Sequence, residues 1–176
     1  MDLYFLRHAS AGQSKPNPKL DEKRPLDGQG IEQAILIGRI VAPMDIQFDA
    51  IISSPLKRAF QTASLFAKEM GFEQAIELSD ALRPHATYEE FQELLRSHFG
   101  KNAIVVVGHN PTESEFLSRL ISNGKKAEAV ELKKGAIAKV EVKQRKGTLQ
   151  WLITPKVAKT IQAASATSSR PKTSRK

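Results

Sequence analysis

Two histidines and two arginines stand where short apolar runs end, and their residue types together suit a dianionic phosphate. Arg7-His8 follows the run Leu3 to Leu6. The segment Ser53-Ser54-Pro55-Leu56-Lys57-Arg58 follows Phe48 to Ile52, and Gly108-His109-Asn110-Pro111 follows Ala103 to Val107. Arginine presents its donors as a planar fork that matches phosphate oxygens, which lysine does not. Helix N-termini add backbone donors and a partial positive charge. Brought to the carboxyl edge of one sheet, the three segments would form a cationic cup. The chain has no cysteine, so a thiolate nucleophile, a thiolate zinc site and a disulfide scaffold are all excluded.

The elements that must position these residues read as alternating strands and helices. Leu3 to Leu6, Phe48 to Ile52, Ala103 to Val107 and Ala136 to Val142 have the composition of buried strands. Helical spacing lies between them, with Ile31, Ala34, Ile35 and Gly38 on one face, Leu56, Ala59, Phe60, Ala63 and Phe66 on a second, and Tyr88, Phe91, Leu94 and Leu95 on a third. This alternation predicts an α/β fold with a mostly parallel sheet covered on both faces. Ala136 to Val142 and Leu149 to Thr154, joined by Gln144 to Gly147, predict an antiparallel C-terminal hairpin, which makes the sheet mixed. Ser53-Ser54 before Pro55, and Asn110 before Pro111, predict N-caps with proline at the first helical position.

A length of 176 residues suits one domain, expected over residues 1–156 and followed by a basic tail over 157–176. Val157 to Ala164 could add a helical turn or two, whereas Ser165 to Lys176 has nothing to bury and is expected to lack order. Of the net charge of +8, five units sit in that tail, at Lys159, Arg170, Lys172, Arg175 and Lys176. The tail has no interleaved aromatic residues for stacking, so a nucleic-acid partner is disfavoured. No apolar run approaches the ~20 residues of a membrane span, and the start lacks the pattern of a signal peptide. No membrane association is expected, and the cytoplasm is the expected compartment. Gly28-Gln29-Gly30 looks superficially like a dinucleotide loop but lacks a preceding strand and a third glycine, and no Walker-type phosphate loop exists. Histidines 8, 85, 98 and 109 have no metal-ligand spacing on any one element. No cofactor and no metal are therefore expected.

Three separated motifs carry a family resemblance. Leu6-Arg7-His8-Ala9, the stretch from Ser53-Ser54-Pro55 through Arg58-Ala59 to Gln61-Thr62-Ala63, and Val107-Gly108-His109-Asn110-Pro111 resemble the histidine phosphatase superfamily, also called phosphoglycerate-mutase-like. The short chain and the segment Arg24-Pro25-Leu26-Asp27-Gly28-Gln29-Gly30 are similar to its SixA-type phosphohistidine phosphatases. The resemblance covers roughly Met1 to Pro155. It implies a three-layer α/β/α sandwich and His8 as a nucleophile that forms a phosphohistidine intermediate without a metal. It also implies Arg7, Arg58 and His109 as phosphate ligands.

Two positions depart from the family pattern. Ala9 stands where glycine is common, which predicts a negative φ there. Mutases and many ester phosphatases of the superfamily place a glutamate after the third strand, but this chain has Leu82-Arg83-Pro84-His85. An alcohol leaving group needs a proton, a contribution of ~100 to 10,000-fold. A phosphorylated imidazole leaves as a neutral ring once its other nitrogen is protonated, so the missing acid favours phosphohistidine. His85, Asp80 and Glu89 are the groups of the same loop that could supply a proton.

Further candidates surround the cup. Arg24 could pair with a helix-start acid or reach the site. Ser14 lies where relatives often carry a small polar phosphate contact but also reads as a solvated loop residue, and His85 reads equally as loop contact or site edge. Asn110 is the fourth candidate for substrate binding. His98 reads as structural. The leading reading is a phosphohistidine phosphatase acting on a phosphorylated protein such as a histidine-containing phosphotransfer domain. The alternatives are a phosphatase for small phosphate esters such as sugar phosphates, and a catalytically silent module that binds a phosphorylated ligand.

Overall fold

The computed structural model describes residues 1–123, 125, 128–144 and 146–168. Side-chain alternation along the first strand, β1 (Asp2–Arg7), dictates the layers. Leu3 and Phe5 face one side, Tyr4 and Leu6 the other, and all four are buried. A strand with apolar residues on both faces must be covered on both. The same alternation recurs in β2 (Ala50–Ser53) and β4 (Ala103–Gly108). With β3 (Glu77–Leu78), β5 (Ile137–Lys143) and β6 (Lys146–Ile153) they form a sheet of order β3-β2-β4-β1-β5-β6. β1 to β4 run parallel, while β5 lies antiparallel to β1 and pairs with β6 as the expected C-terminal hairpin.

Helices α2 (Gly28–Val41), α3 (Lys57–Glu69) and α6 (Pro155–Ser168) cover the Tyr4 and Leu6 face. Helices α4 (Tyr88–Ser97) and α5 (Thr112–Ile121) cover the other. The three-layer α/β/α sandwich is therefore the observed architecture. A five-residue helix, α1 (Pro18–Glu22), buries nothing and lies in the long connection after β1. The described helix α6 continues through Ser168 and seats Ala158 in the core. The rest of the expected tail, from residue 169, lies outside the described residues. No helix among the described residues is long and apolar enough to cross a membrane.

Three local expectations need correction. In α2 the buried stripe runs through Gly30, Ala34, Ile37, Gly38 and Val41, and Ile31 is exposed. The glycines cause this rotation, because each allows a contact that a side chain would block. A Cβ on Gly30 would lie 1.9 Å from the Ser10 carbonyl oxygen, and one on Gly38 would lie 2.6 Å from the Glu69 Cβ of α3. In α3 Phe60 is exposed while Ala59, Thr62, Ala63 and Phe66 point inward. Finally, neither proline occupies a first helical position. α3 begins at Lys57 after Leu56, and α5 begins at Thr112 after Pro111. The Ser54 hydroxyl and the Asn110 amide, expected as caps, are engaged elsewhere in the site.

α2 does have a side-chain cap. Asp27 accepts from the Gly30 amide with one oxygen (2.7 Å) and from the Ser10 hydroxyl and the Gly12 amide with the other (2.8 Å each). One carboxylate thus starts the helix and fixes the chain that follows His8. Replacement of glycine by alanine inside a helix ordinarily adds about 1 kcal/mol of stability. Gly30→Ala should reverse that sign and cost about 2 kcal/mol or more through overpacking against Ser10, as read by urea denaturation.

Candidate active site

Strand register brings the predicted residues together. β1 and β4 pair with Arg7 opposite Gly108, and β2 lies on the far side of β4 with Ser53 opposite Val107. All three chains therefore leave the sheet at one edge, and the ladder continues one step beyond it. The His8 amide donates to the Gly108 carbonyl at 3.0 Å, and the Ser54 amide to the Val107 carbonyl at 2.9 Å. His8 and His109 stand side by side, with ring centroids 5.0 Å apart and planes tilted by 52°.

The tautomer of His8 follows from its neighbour. Its Nδ1 is 2.7 Å from the Ala9 carbonyl oxygen, which can only accept, so Nδ1 carries the proton and Nε2 keeps a lone pair. Burial, with Arg58 and Arg7 adding to it, pushes the His8 pKa down to about 3. The ring is therefore uncharged at neutral pH, with its lone pair on Nε2. Ala9 has no positive φ, as expected, and its amide donates to Thr62 Oγ1 at 3.1 Å. The Thr62 hydroxyl in turn donates to the Arg58 carbonyl at 2.7 Å. One threonine thus ties the chain after His8 to the helix that carries Arg58. His109 Nε2 is 2.9 Å from the Ser54 hydroxyl. Burial first, then His8 and the arginines, pushes its pKa down to about 2.

Around the two rings lies a cup of about 380 Å³, to which Arg24, Arg58, Lys134 and Asp21 contribute. Arg58 is buried, and its Nη1 meets the Asp21 backbone oxygen at 2.9 Å and carboxylate at 3.2 Å. Arg24 lines the cup while pairing with Asp21 (Nε to Oδ1, 2.8 Å) and donating to the Ala11 carbonyl at 2.7 Å. The hydrogen bond from Arg24 is the largest influence holding the Asp21 carboxyl down at about 2.

The remaining candidates differ in placement. Arg7 does not line the cup. Its Nη1 donates to the Leu132 carbonyl at 2.7 Å, and its charge reaches both imidazoles from behind. Asn110 lines the cup, but its amide donates to the Leu132 carbonyl (2.9 Å) and its oxygen accepts from Ser114 (2.8 Å), so it braces the neighbouring loop. Ser14 is an exposed residue of the rim. His85 is exposed, adopts a φ of +71° and stands outside the lining, where Pro84 takes its place. Asp80 pairs with Arg83, Glu89 is exposed, and neither lines the cup. His98 is buried 2.9 Å from Glu77, a structural pair.

Sequence reasoning missed Asp21 and Lys134. For Asp21 a signal was present: Asn17-Pro18 opens a short helix, and its acid stands three residues before Arg24, close enough to pair with it. Lys134 follows another lysine in a loop, and nothing in its spacing marks it.

This geometry gathers cations and an imidazole lone pair around one cup, an arrangement suited to a dianion. Among the residues lining the cup Asp21 is the one carboxylate, and it is held ionised.

Comparison with known proteins agrees with this chemistry. Residues 3–87 match the Histidine phosphatase superfamily (branch 1). An uncharacterised protein of Picosynechococcus sp. is 31% identical over 140 residues, covering 78% of this chain and 82% of that protein. Among solved structures, the protein histidine phosphatase SixA complexed with tungstate superposes with a TM-score of 0.78 at 21% identity, covering 89% of this chain and 98% of its own. A protein of Agrobacterium tumefaciens designated as a phosphohistidine phosphatase SixA superposes with a TM-score of 0.73 at 26% identity, with coverages of 88% and 97%. The alpha-ribazole phosphatase of Shigella flexneri superposes with a TM-score of 0.70 at 21% identity, again covering 88% and 97%.

The depressed values of both imidazoles give a direct check. In a nuclear magnetic resonance titration, the ring signals of His8 and His109 should stay those of uncharged imidazole from pH 8 down to pH 5, where an unperturbed histidine is largely protonated.

Proposed function

Because the chain belongs to the histidine phosphatase superfamily, we propose that it is a phosphatase that removes phosphate from a phosphorylated histidine of a protein, with His8 as its transient carrier. The phosphate of the substrate sits in the cup, held by Arg58 and Arg24, with His109 beside it and Arg7 adding charge from behind. The Nε2 lone pair of His8 attacks phosphorus in line as the bond to the substrate nitrogen breaks. The leaving imidazole departs neutral, its other nitrogen protonated from solvent. Charge gathers on the equatorial oxygens, which preorganised cations stabilise. Water then attacks the phosphoryl group on His8, inorganic phosphate leaves, and the displaced water proton passes to phosphate or solvent. Throughout, Nδ1 keeps its proton on the Ala9 carbonyl.

The observation that carries the choice of substrate is the state of the acids. Asp21 is locked between two arginines and has no proton to give. Glu113 lies behind His109 in a separate space with no room for water. A cup that holds no protonated carboxyl suits a phosphoramidate, whose leaving group asks for no acid from the enzyme, better than an ester. Its mouth is open, which suits a phosphohistidine presented on a protein such as a phosphotransfer domain.

The wild-type protein should release phosphate from a phosphohistidine protein faster than from a panel of sugar phosphates. Acid quench should trap a phosphoenzyme that His8→Ala lacks. Preference for the esters moves the assignment to small substrates, and absence of turnover moves it to a binding module. Arg58→Ala should lower kcat/KM by about 100-fold or more in the same assay.

A further inference from the structure

Glu113 is the second residue of α5, a position where an acid normally meets solvent and complements the helix dipole. Glu115 on the same turn does so and pairs with Arg119 at 3.3 Å. Glu113 instead is 2% exposed, between His109 and the apolar side chains of Phe5, Leu82, Phe91 and Phe116. No side chain among the described residues hydrogen-bonds to its oxygens; the polar groups nearest them are the backbone amides of Leu6 and Gly108, which pull its pKa down less than burial raises it. Its place is nevertheless fixed. Its amide donates to the His109 carbonyl at 2.7 Å, and a Cβ on Gly108 would come within 3.6 Å of its carboxyl carbon.

The groups that face it define its influence. From β1 comes Arg7, whose Nε is also buried without a partner. From the end of β4 comes His109, whose Nδ1 is likewise unpartnered and which stays uncharged. From the turn before α4, and from α4 itself, come only Leu82 and Phe91. Glu131 acts on Arg7 from the solvent side and is itself paired with Lys133 at 2.6 Å. Arg7 stands opposite Gly108 in the β1–β4 register, and the Glu113 carboxyl packs on that glycine, so Arg7 is the cation that acts on Glu113. An apolar residue would fill this space at lower cost to the fold, so burial of a carboxyl here serves something other than packing.

The geometry points to Glu113 as a positioning residue that acts through Arg7: as the neutral acid it leaves the charge of the guanidinium to the bound phosphate, and as the carboxylate it competes for that charge. The inference rests on the anion cup of the proposed function and adds a brake to it. Burial raises the Glu113 pKa to about 8, with Arg7 pulling the other way, so the brake engages on the alkaline side as the proton leaves to solvent.

Inorganic sulfate tests this without turnover, because its charge stays constant across the range. Binding followed by titration calorimetry from pH 6.5 to 9.5 should weaken about tenfold in the wild-type protein, the reciprocal of a tenfold effect of the anion on Glu113 ionisation. Glu113→Gln and Glu113→Leu should both lack that fall. A pH-independent affinity in the wild-type protein, or an equal fall in either neutral variant, overturns the inference. Absence of sulfate binding at every pH overturns it together with the cup. A protein that binds sulfate with the expected profile yet leaves phosphohistidine intact refutes the proposed reaction alone.

Discussion

In the proposed reaction two imidazoles must both stay uncharged in a pocket that also attracts a dianion, and that constraint sets the terms for the rest of the molecule. A protonated His8 could not attack phosphorus, and a solvent-filled site would leave its pKa near 6.5. Burial solves the first problem and the arginines reinforce it, since a field that draws phosphate also repels a proton. The remaining freedom is the choice of nitrogen. The Ala9 carbonyl removes it by accepting from Nδ1–H, and Gln33 fixes the peptide that carries that carbonyl by accepting from the Ser10 amide. The register of the parallel strands then supplies the position, because His8 and Ser54 extend adjacent ladders by one residue and His109 directly follows Gly108, the last paired residue of β4.

The cup joins a rigid half to a looped half. His8, His109 and Ser54 leave the sheet directly; strand hydrogen bonds hold the backbones of His8 and Ser54, and the Glu113 amide holds the His109 carbonyl. Arg24 and Asp21 arrive on a connection anchored at its ends by Ala11 and Leu26, which pack with Ala9 and Ala34, and the stretch between is organised by polar contacts. Asp27 gathers Ser10, Gly12 and the start of α2, and Asn17 caps α1. Arg24 spends donors on the Ala11 and Gly12 carbonyls. Shape on that side of the cup thus depends on charge and capping, whereas on the other it depends on the sheet.

This division explains what was legible beforehand. Strand-end residues could be read because an apolar run interrupted by Arg-His or Gly-His has few other meanings, and the layers could be read because both faces of each run are apolar. The rotation of α2 could not, since Ile31 and Ile37 are equivalent by spacing until Gly30 and Gly38 meet Ser10 and Glu69. Ser54 and Asn110 read as caps because their local sequence is that of caps, and tertiary partners claimed their side chains instead. Glu113 reads as an ordinary first-turn acid. Only the packing of Phe91 and Leu82 over it, from distant parts of the chain, makes it buried.

The buried groups also decide how folding exchanges protons. In the unfolded chain His8 and His109 titrate near 6.5 and Glu113 near 4.5, whereas in the fold they sit at about 3, about 2 and about 8. Below their unfolded value the histidines surrender protons on folding, so acid opposes the fold. Above its own unfolded value the glutamate takes one up, so alkali opposes it too. These two flows cancel at about pH 6.5, where half a proton from each of two rings balances one gained by the carboxyl. Considered through these groups alone, the fold is most stable near neutrality, with the balance struck by the same residues that shape the site.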